Sequence, residues 1–195
     1  MNNDIRPQKN NLRAQALEWR RALHKGEKQR MDFKIQEKVL NLWKYREINT
    51  VLLYYPKELE VDTRLLIQRS WALGKTVALP RCVPGTNEME FFILTSFAQL
   101  EEGSFGVMEP RPERCELLRD FSDALCVVPA LVYDKKGFRL GYGKGFYDRF
   151  LSEFNGESIG MIYSGCVADE IPHGKYDRTV NAVITEKDNY FFNRE

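Results

Sequence analysis

The chain has 195 residues, with 29 Lys plus Arg against 28 Asp plus Glu, two histidines and four cysteines. That length suits one domain with a sizeable core. The near-zero net charge excludes a protein that holds nucleic acid or another polyanion by bulk charge, so any anion recognition is local. Cys82, Cys115, Cys126 and Cys166 form no CxxC pair and leave little for a zinc site, which points to reduced thiols in the cytoplasm. The polar start MNNDIRPQKNN is no signal peptide, and no apolar run reaches the roughly 18 residues of a membrane span.

The first 46 residues predict helices. Leu12, Ala16, Trp19 and Leu23 make one apolar stripe, and Ile35, Val39 and Leu42 a second after Gly26. Lys9 and Arg13, four apart, share a different face. The run TVLLYY over 50–55 predicts a strand that Pro56 stops. A helix over 65–73 closed by Gly74 and a strand over 77–79 stopped by Pro80 complete a strand–helix–strand unit, which favours a parallel sheet. A further strand is expected over 89–94. Residues 101–114, rich in Gly, Pro and charge, predict a long surface loop. Strands over 125–132 (interrupted near Pro129), 158–163 and 180–185 follow. The expectation is a single α/β domain over residues 1–195: three α/β/α layers, a mostly parallel sheet, and the N-terminal helices packed on it.

The segment 137–150, GFRLGYGKGFYDRF, carries the most chemistry. Gly141, Gly143 and Gly145 alternate around Lys144 just before a helix start, after a strand end. Backbone amides that can crowd a ligand, next to a helix N-terminus, suit an anion such as phosphate. The spacing is neither that of a Walker A loop nor that of a Rossmann fingerprint. On a helical wheel Phe146, Tyr147, Phe150, Leu151 and Phe154 share an apolar face, with Asp148 and Arg149 outside it. Asp148 suits either a helix-start carboxylate or a Mg²⁺ ligand. From the residues alone, a phosphate-binding isomerase, a CoA-transferase-like enzyme and a non-catalytic binding module remain open.

RLGYGKGFYDR over 139–149, KNNLR over 9–13, ELEVDT over 58–63 with ALPR over 78–81, and IPHGKYD over 171–177 occur in one order along nearly the whole chain. In this the chain resembles the 5-formyltetrahydrofolate cyclo-ligase family, also called 5,10-methenyltetrahydrofolate synthetases. The resemblance implies ATP- and Mg²⁺-dependent closure of 5-formyltetrahydrofolate to 5,10-methenyltetrahydrofolate with release of ADP and phosphate. It implies ATP contacts from Lys9, Arg13, Arg139, Leu140, Gly141, Tyr142, Gly143, Lys144, Gly145, Phe146 and Tyr147. The folate contacts implied are Tyr55, Glu60 and 142–146. Lys144 and Arg149 are the expected catalytic cations, and Asp148 matches the family's metal aspartate. Asn181 stands where some members have a second metal aspartate, with Asp177 as its possible stand-in. The remaining expectations are small-molecule substrates only, no nucleic-acid or membrane partner, a monomer, and a cytoplasmic location.

Overall fold

The structure, a computed structural model, describes residues 4–192; Met1 to Asn3 of the polar start lie outside them. Five helices form: α1 (Arg6–Ala22), α2 (Lys25–Asn41), α3 (Trp43–Glu47), α4 (Arg64–Ala72) and α5 (Phe146–Glu153). The strands begin with β1 (Thr50–Leu52), β2 (Thr76–Cys82), β3 (Met89–Ile93), β4 (Leu100–Glu102), β5 (Met108–Pro110) and β6 (Glu116–Leu117). They continue with β7 (Ala124–Val128), β8 (Val132–Asp134), β9 (Arg139–Leu140), β10 (Glu157–Met161), β11 (Val167–Ala168), β12 (Ala182–Ile184) and β13 (Asn189–Phe191).

Eight strands form the main sheet in the order β13-β12-β10-β7-β1-β2-β3-β6. The inner five are parallel, and β13, β3 and β6 add antiparallel edges. Apolar side chains alternate to both faces, as sheets covered on both sides require. Val51 and Leu53 pack with Ile35 and Val39 of α2 and Leu66 and Ile67 of α4. Leu52, Cys126 and Val128 face Leu151 of α5 and Ala16 of α1. The three-layer α/β expectation is met. No helix among the described residues is long and apolar enough to cross a membrane.

Two expected elements differ. The strand expected over 125–132 is two: β7 ends at Val128, and β8 joins a separate three-stranded sheet with β9 and β11. Pro129 cannot donate to a ladder, so the chain leaves the main sheet there. The surface loop expected over 101–114 is instead a β4–β5 hairpin with 3₁₀ turns. Arg81 Nη1 anchors it, donating to Glu101 Oε1 at 2.8 Å and to the Pro110 carbonyl at 2.6 Å.

From β1 the chain turns to β2 on one side, then returns to β7 on the other. Strand order therefore reverses between β1 and β7, and open α/β sheets place ligands outside the carboxyl ends of strands at such a point.

Candidate active site

A cavity of about 530 Å³ opens at that reversal, lined by Tyr54 and Tyr55 beyond β1 and by Pro129 and Ala130 beyond β7. Arg20, buried in α1, fixes both exits. Its guanidinium donates to the carbonyls of Leu59, Ala130 and Leu131 at 3.1, 2.8 and 2.8 Å. A buried cation is tolerable when several acceptors share it. In the sequence, an arginine among the other α1 charges carries no local signal of burial.

One end of the cavity is basic. The glycine segment crosses it from β9 to the start of α5, and all of 139–148 lines it. Gly143 sits at φ +91°, a backbone region open to glycine, and a Cβ there would stand 3.2 Å from Arg13 Nη2. Arg13 holds the segment by donating from Nε to the Gly141 carbonyl at 2.9 Å. Lys9, one turn earlier in α1, pairs with Asp177 at 2.8 Å. Arg139 Nη2 lies 2.9 Å from Asp148 Oδ1, but this ion pair lacks hydrogen-bond alignment, and Arg139 Nε has no partner either. Buried donors without acceptors suit a ligand that brings its own oxygens. Lys144 is exposed, with its ammonium 5.6 Å from the Phe105 ring centre.

The other end is apolar with two buried carboxylates. Glu60 Oε2 accepts from the Lys57 amide at 2.9 Å, and burial pushes the Glu60 carboxyl above its ordinary value against the pull of that N–H, Lys57 and Arg20. Burial, then the Glu60 charge, push the Tyr142 hydroxyl up to about 12, so it stays protonated at neutral pH. Lys57 Nζ lies 4.6 Å from the Tyr142 ring centre, a cation–aromatic pair at the mouth. Glu109 of β5 is buried and accepts from the Cys82 amide at 3.3 Å. Burial and Glu109 hold the Cys82 thiol up at about 12, so it is no nucleophile.

The hairpin contributes what the sequence hid. Phe105, Val107 and Glu109 all line the cavity. Phe105 has φ +59°, is 59% exposed, and meets Phe146 edge-on at 6.1 Å across the mouth. Gly103 allows this, since a Cβ there would lie 2.3 Å from Glu109 Oε2.

Of the expected site residues, Lys9, Arg13, Tyr55, Glu60, Arg139, Leu140, Gly141, Tyr142, Gly143, Lys144, Gly145, Phe146, Tyr147, Asp148 and Asp177 all line this one cavity. Arg149 does not: its Nη1 donates to the Asn87 carbonyl at 3.1 Å, on the outer side of α5. Nor is Asn181 brought to Asp148. It lines a second cavity at the amino ends of the strands, and its side-chain oxygen accepts from the Ser158 amide and hydroxyl at 2.8 and 2.9 Å.

No group of three or more His, Cys, Asp or Glu able to hold a metal occurs among the described residues. Mg²⁺ does not need one, because it keeps several waters and binds through one or two carboxylates plus phosphate oxygens. Asp148 and Asp177, both on the basic end, fit that donor set.

Comparison with known proteins places the chain in a family. Residues 5–186 match the model of the 5-formyltetrahydrofolate cyclo-ligase family. A probable 5-formyltetrahydrofolate cyclo-ligase of Schizosaccharomyces pombe is 31% identical over 168 residues, 77% of this chain and 81% of the relative. The Mus musculus 5-formyltetrahydrofolate cyclo-ligase is 29% identical over 189 residues, 91% and 93% of the two chains. The solved structure of Aquifex aeolicus 5,10-methenyltetrahydrofolate synthetase superposes with a TM-score of 0.83 at 31% identity, covering 96% of this chain and 94% of that one. With its glycine segment, α1 cations and buried Glu60 converging on one cavity, the chain belongs to the 5-formyltetrahydrofolate cyclo-ligase family.

Proposed function

We propose that this protein closes 5-formyltetrahydrofolate to 5,10-methenyltetrahydrofolate at the expense of ATP, with Mg²⁺, and that the cavity's two ends divide the work. The observation that carries this reading is the convergence of a basic, glycine-lined end and an aromatic, carboxylate-bearing end in a single cavity. The basic end suits a triphosphate, and the aromatic end suits a flat ring system with a donor edge.

A formyl group on nitrogen is an amide, with a weakly electrophilic carbon and an oxygen that leaves poorly. The formyl oxygen attacks the γ-phosphorus, and ADP departs. The substrate's N10 then bonds to the formyl carbon and gives up its proton. The carbon–oxygen bond breaks, with its electron pair going to the oxygen that leaves in phosphate. Both nucleophiles belong to the substrate, so the protein's task is positioning and charge stabilisation. That agrees with a cavity in which the thiol is held neutral.

Lys144 and Arg139 face the phosphoryl oxygens, and Lys9 and Arg13 support the phosphate chain. Asp148 and Asp177 would hold Mg²⁺, which offsets charge on the phosphates when bound. The Glu60 carboxylate accepts from the N–H and amino groups of the pterin, while Tyr55, Tyr142 and Phe105 flank its faces. Arg149, turned to Asn87, has no part in this scheme.

The methenyl product is more conjugated than the substrate. Purified protein is expected to generate a new near-UV band only when 5-formyltetrahydrofolate, ATP and Mg²⁺ are all present. Absence of that band under these conditions overturns the reading.

A further inference from the structure

Two of the four cations at the phosphate end, Lys9 and Arg139, are each already matched by a carboxylate of the same cavity. Lys9 Nζ is 2.8 Å from Asp177 Oδ2, with the side chains 14% and 21% exposed. Arg139 Nη2 is 2.9 Å from Asp148 Oδ1, at 5% and 23%. The carboxylates come from different elements, Asp148 from α5 and Asp177 from the segment 172–178 that leads into β12. They are nonetheless linked. Asp177 Oδ2 also accepts from the Gly174 amide at 2.7 Å, and Asp148 Oδ1 accepts from the Arg178 amide at 3.2 Å. One short segment therefore supplies a charge, or a hydrogen bond, to both pairs.

Such an arrangement does not welcome every anion. A polyphosphate arriving alone must strip Lys9 and Arg139 from their partners and leave two carboxylates facing its own negative charge. In a partly buried site, like charges a few ångströms apart oppose binding far more than they would in water. A polyphosphate arriving with a divalent cation has a different course. Asp148 and Asp177 would then hold the cation while Lys9 and Arg139 turn to the phosphate oxygens, so that every charge changes partner without losing one.

We propose that Asp177 is a specificity-determining residue that holds Lys9 in reserve, so that the site accepts a metal-bound nucleoside triphosphate and rejects the metal-free form. This rests on the reading of the basic end as the triphosphate site. Asp177 thereby joins selection of the metal complex to the position of the segment 172–178.

Equilibrium binding of ATP, measured calorimetrically without folate and hence without turnover, tests this. The titrations use ATP with Mg²⁺ and ATP with EDTA, on the wild-type protein, Asp177→Asn and Lys9→Met. Asparagine keeps an oxygen for the Gly174 amide while removing the charge. Asp177→Asn is expected to bind metal-free ATP about 5-fold more tightly than wild type, as removal of one nearby like charge implies. It should bind Mg-ATP no better, so the preference for the metal complex narrows. Lys9→Met, which leaves Asp177 uncompensated, is expected to widen that preference. The two variants thus move one ratio in opposite directions. Unchanged or weaker binding of metal-free ATP by Asp177→Asn overturns the inference, as does a narrowed ratio in Lys9→Met. If the wild type binds ATP in neither form, the triphosphate reading fails first; if it binds Mg-ATP and the ratios do not move, this inference alone fails.

Discussion

The two ends of the cavity are built in different ways. The basic end is almost continuous in sequence, since residues 139–148 supply most of it, and one face of α1 together with Asp177 supplies the rest. The aromatic end is assembled from five separated places: Tyr54 and Tyr55 after β1, Glu60, Cys82 at the end of β2, Phe105 to Glu109 around the β4–β5 turn, and Tyr142. A phosphate needs closely spaced amides and cations, which one loop can offer. A large flat ligand needs walls on opposite sides, which only distant segments brought together by a sheet can offer. The first end is thereby local chemistry and the second is tertiary structure.

The sharpest way to break this division is to damage one end and measure the other. Lys144→Met removes an exposed ammonium that has no ion-pair partner among the described residues. Loss of a charged donor at a transferring phosphoryl is expected to lower the rate of methenyl formation by about 10²–10³-fold. The melting temperature should stay where it was, and folate binding measured without ATP should be unchanged. A comparable loss of folate affinity would show that the ends are not separate.

Glu60→Gln strikes the opposite end. Losing a charged acceptor for the substrate's donor edge is expected to raise the KM for the folate by about 10-fold while ATP binding is retained. The same variant has a pH signature. Burial raises the Glu60 carboxyl above its ordinary 4.5 in the fold. The folded protein therefore keeps this proton over a range where the unfolded chain has lost it, and wild-type stability falls as pH rises from about 4.5 through the raised value. Glutamine has no such dependence. The melting temperature of Glu60→Gln relative to wild type should accordingly climb across that range, and a flat difference would deny that burial sets the Glu60 charge.

Phe105→Gly is the gentlest cut. It removes the ring at the mouth and relieves a φ of +59° that a phenylalanine seldom adopts. Folate KM is expected to rise about 3-fold, roughly the loss of one aromatic contact, with thermal stability equal or higher. A clear loss of stability would mean that the ring holds the hairpin rather than the ligand.

Legibility in the sequence follows the same division. The glycine segment, Lys9 and Arg13 were readable because their spacing is local: four residues on a helix, alternate glycines before α5. The βαβ unit over β1, α4 and β2 was readable for the same reason. The β4–β5 wall was not, because strands reading LEE and MEP show no alternation, and Phe105 faces the mouth only through its turn. Arg149 shows the limit of a helical wheel. Asp148 and Arg149 both fall off the apolar face, yet one points to Arg139 and the other to Asn87. Asn181 stands just before β12, and its side-chain oxygen reaches across to Ser158 of β10, a neighbour fixed by strand pairing rather than by any motif.

In the proposed mechanism the two ends meet over a single atom, the formyl oxygen, which receives the phosphoryl group and leaves with it. Turnover of 5-formyltetrahydrofolate labelled with ¹⁸O in the formyl group measures this directly. One ¹⁸O is expected in each inorganic phosphate released, detected by mass spectrometry. Methenyl product accompanied by phosphate without the label would contradict it.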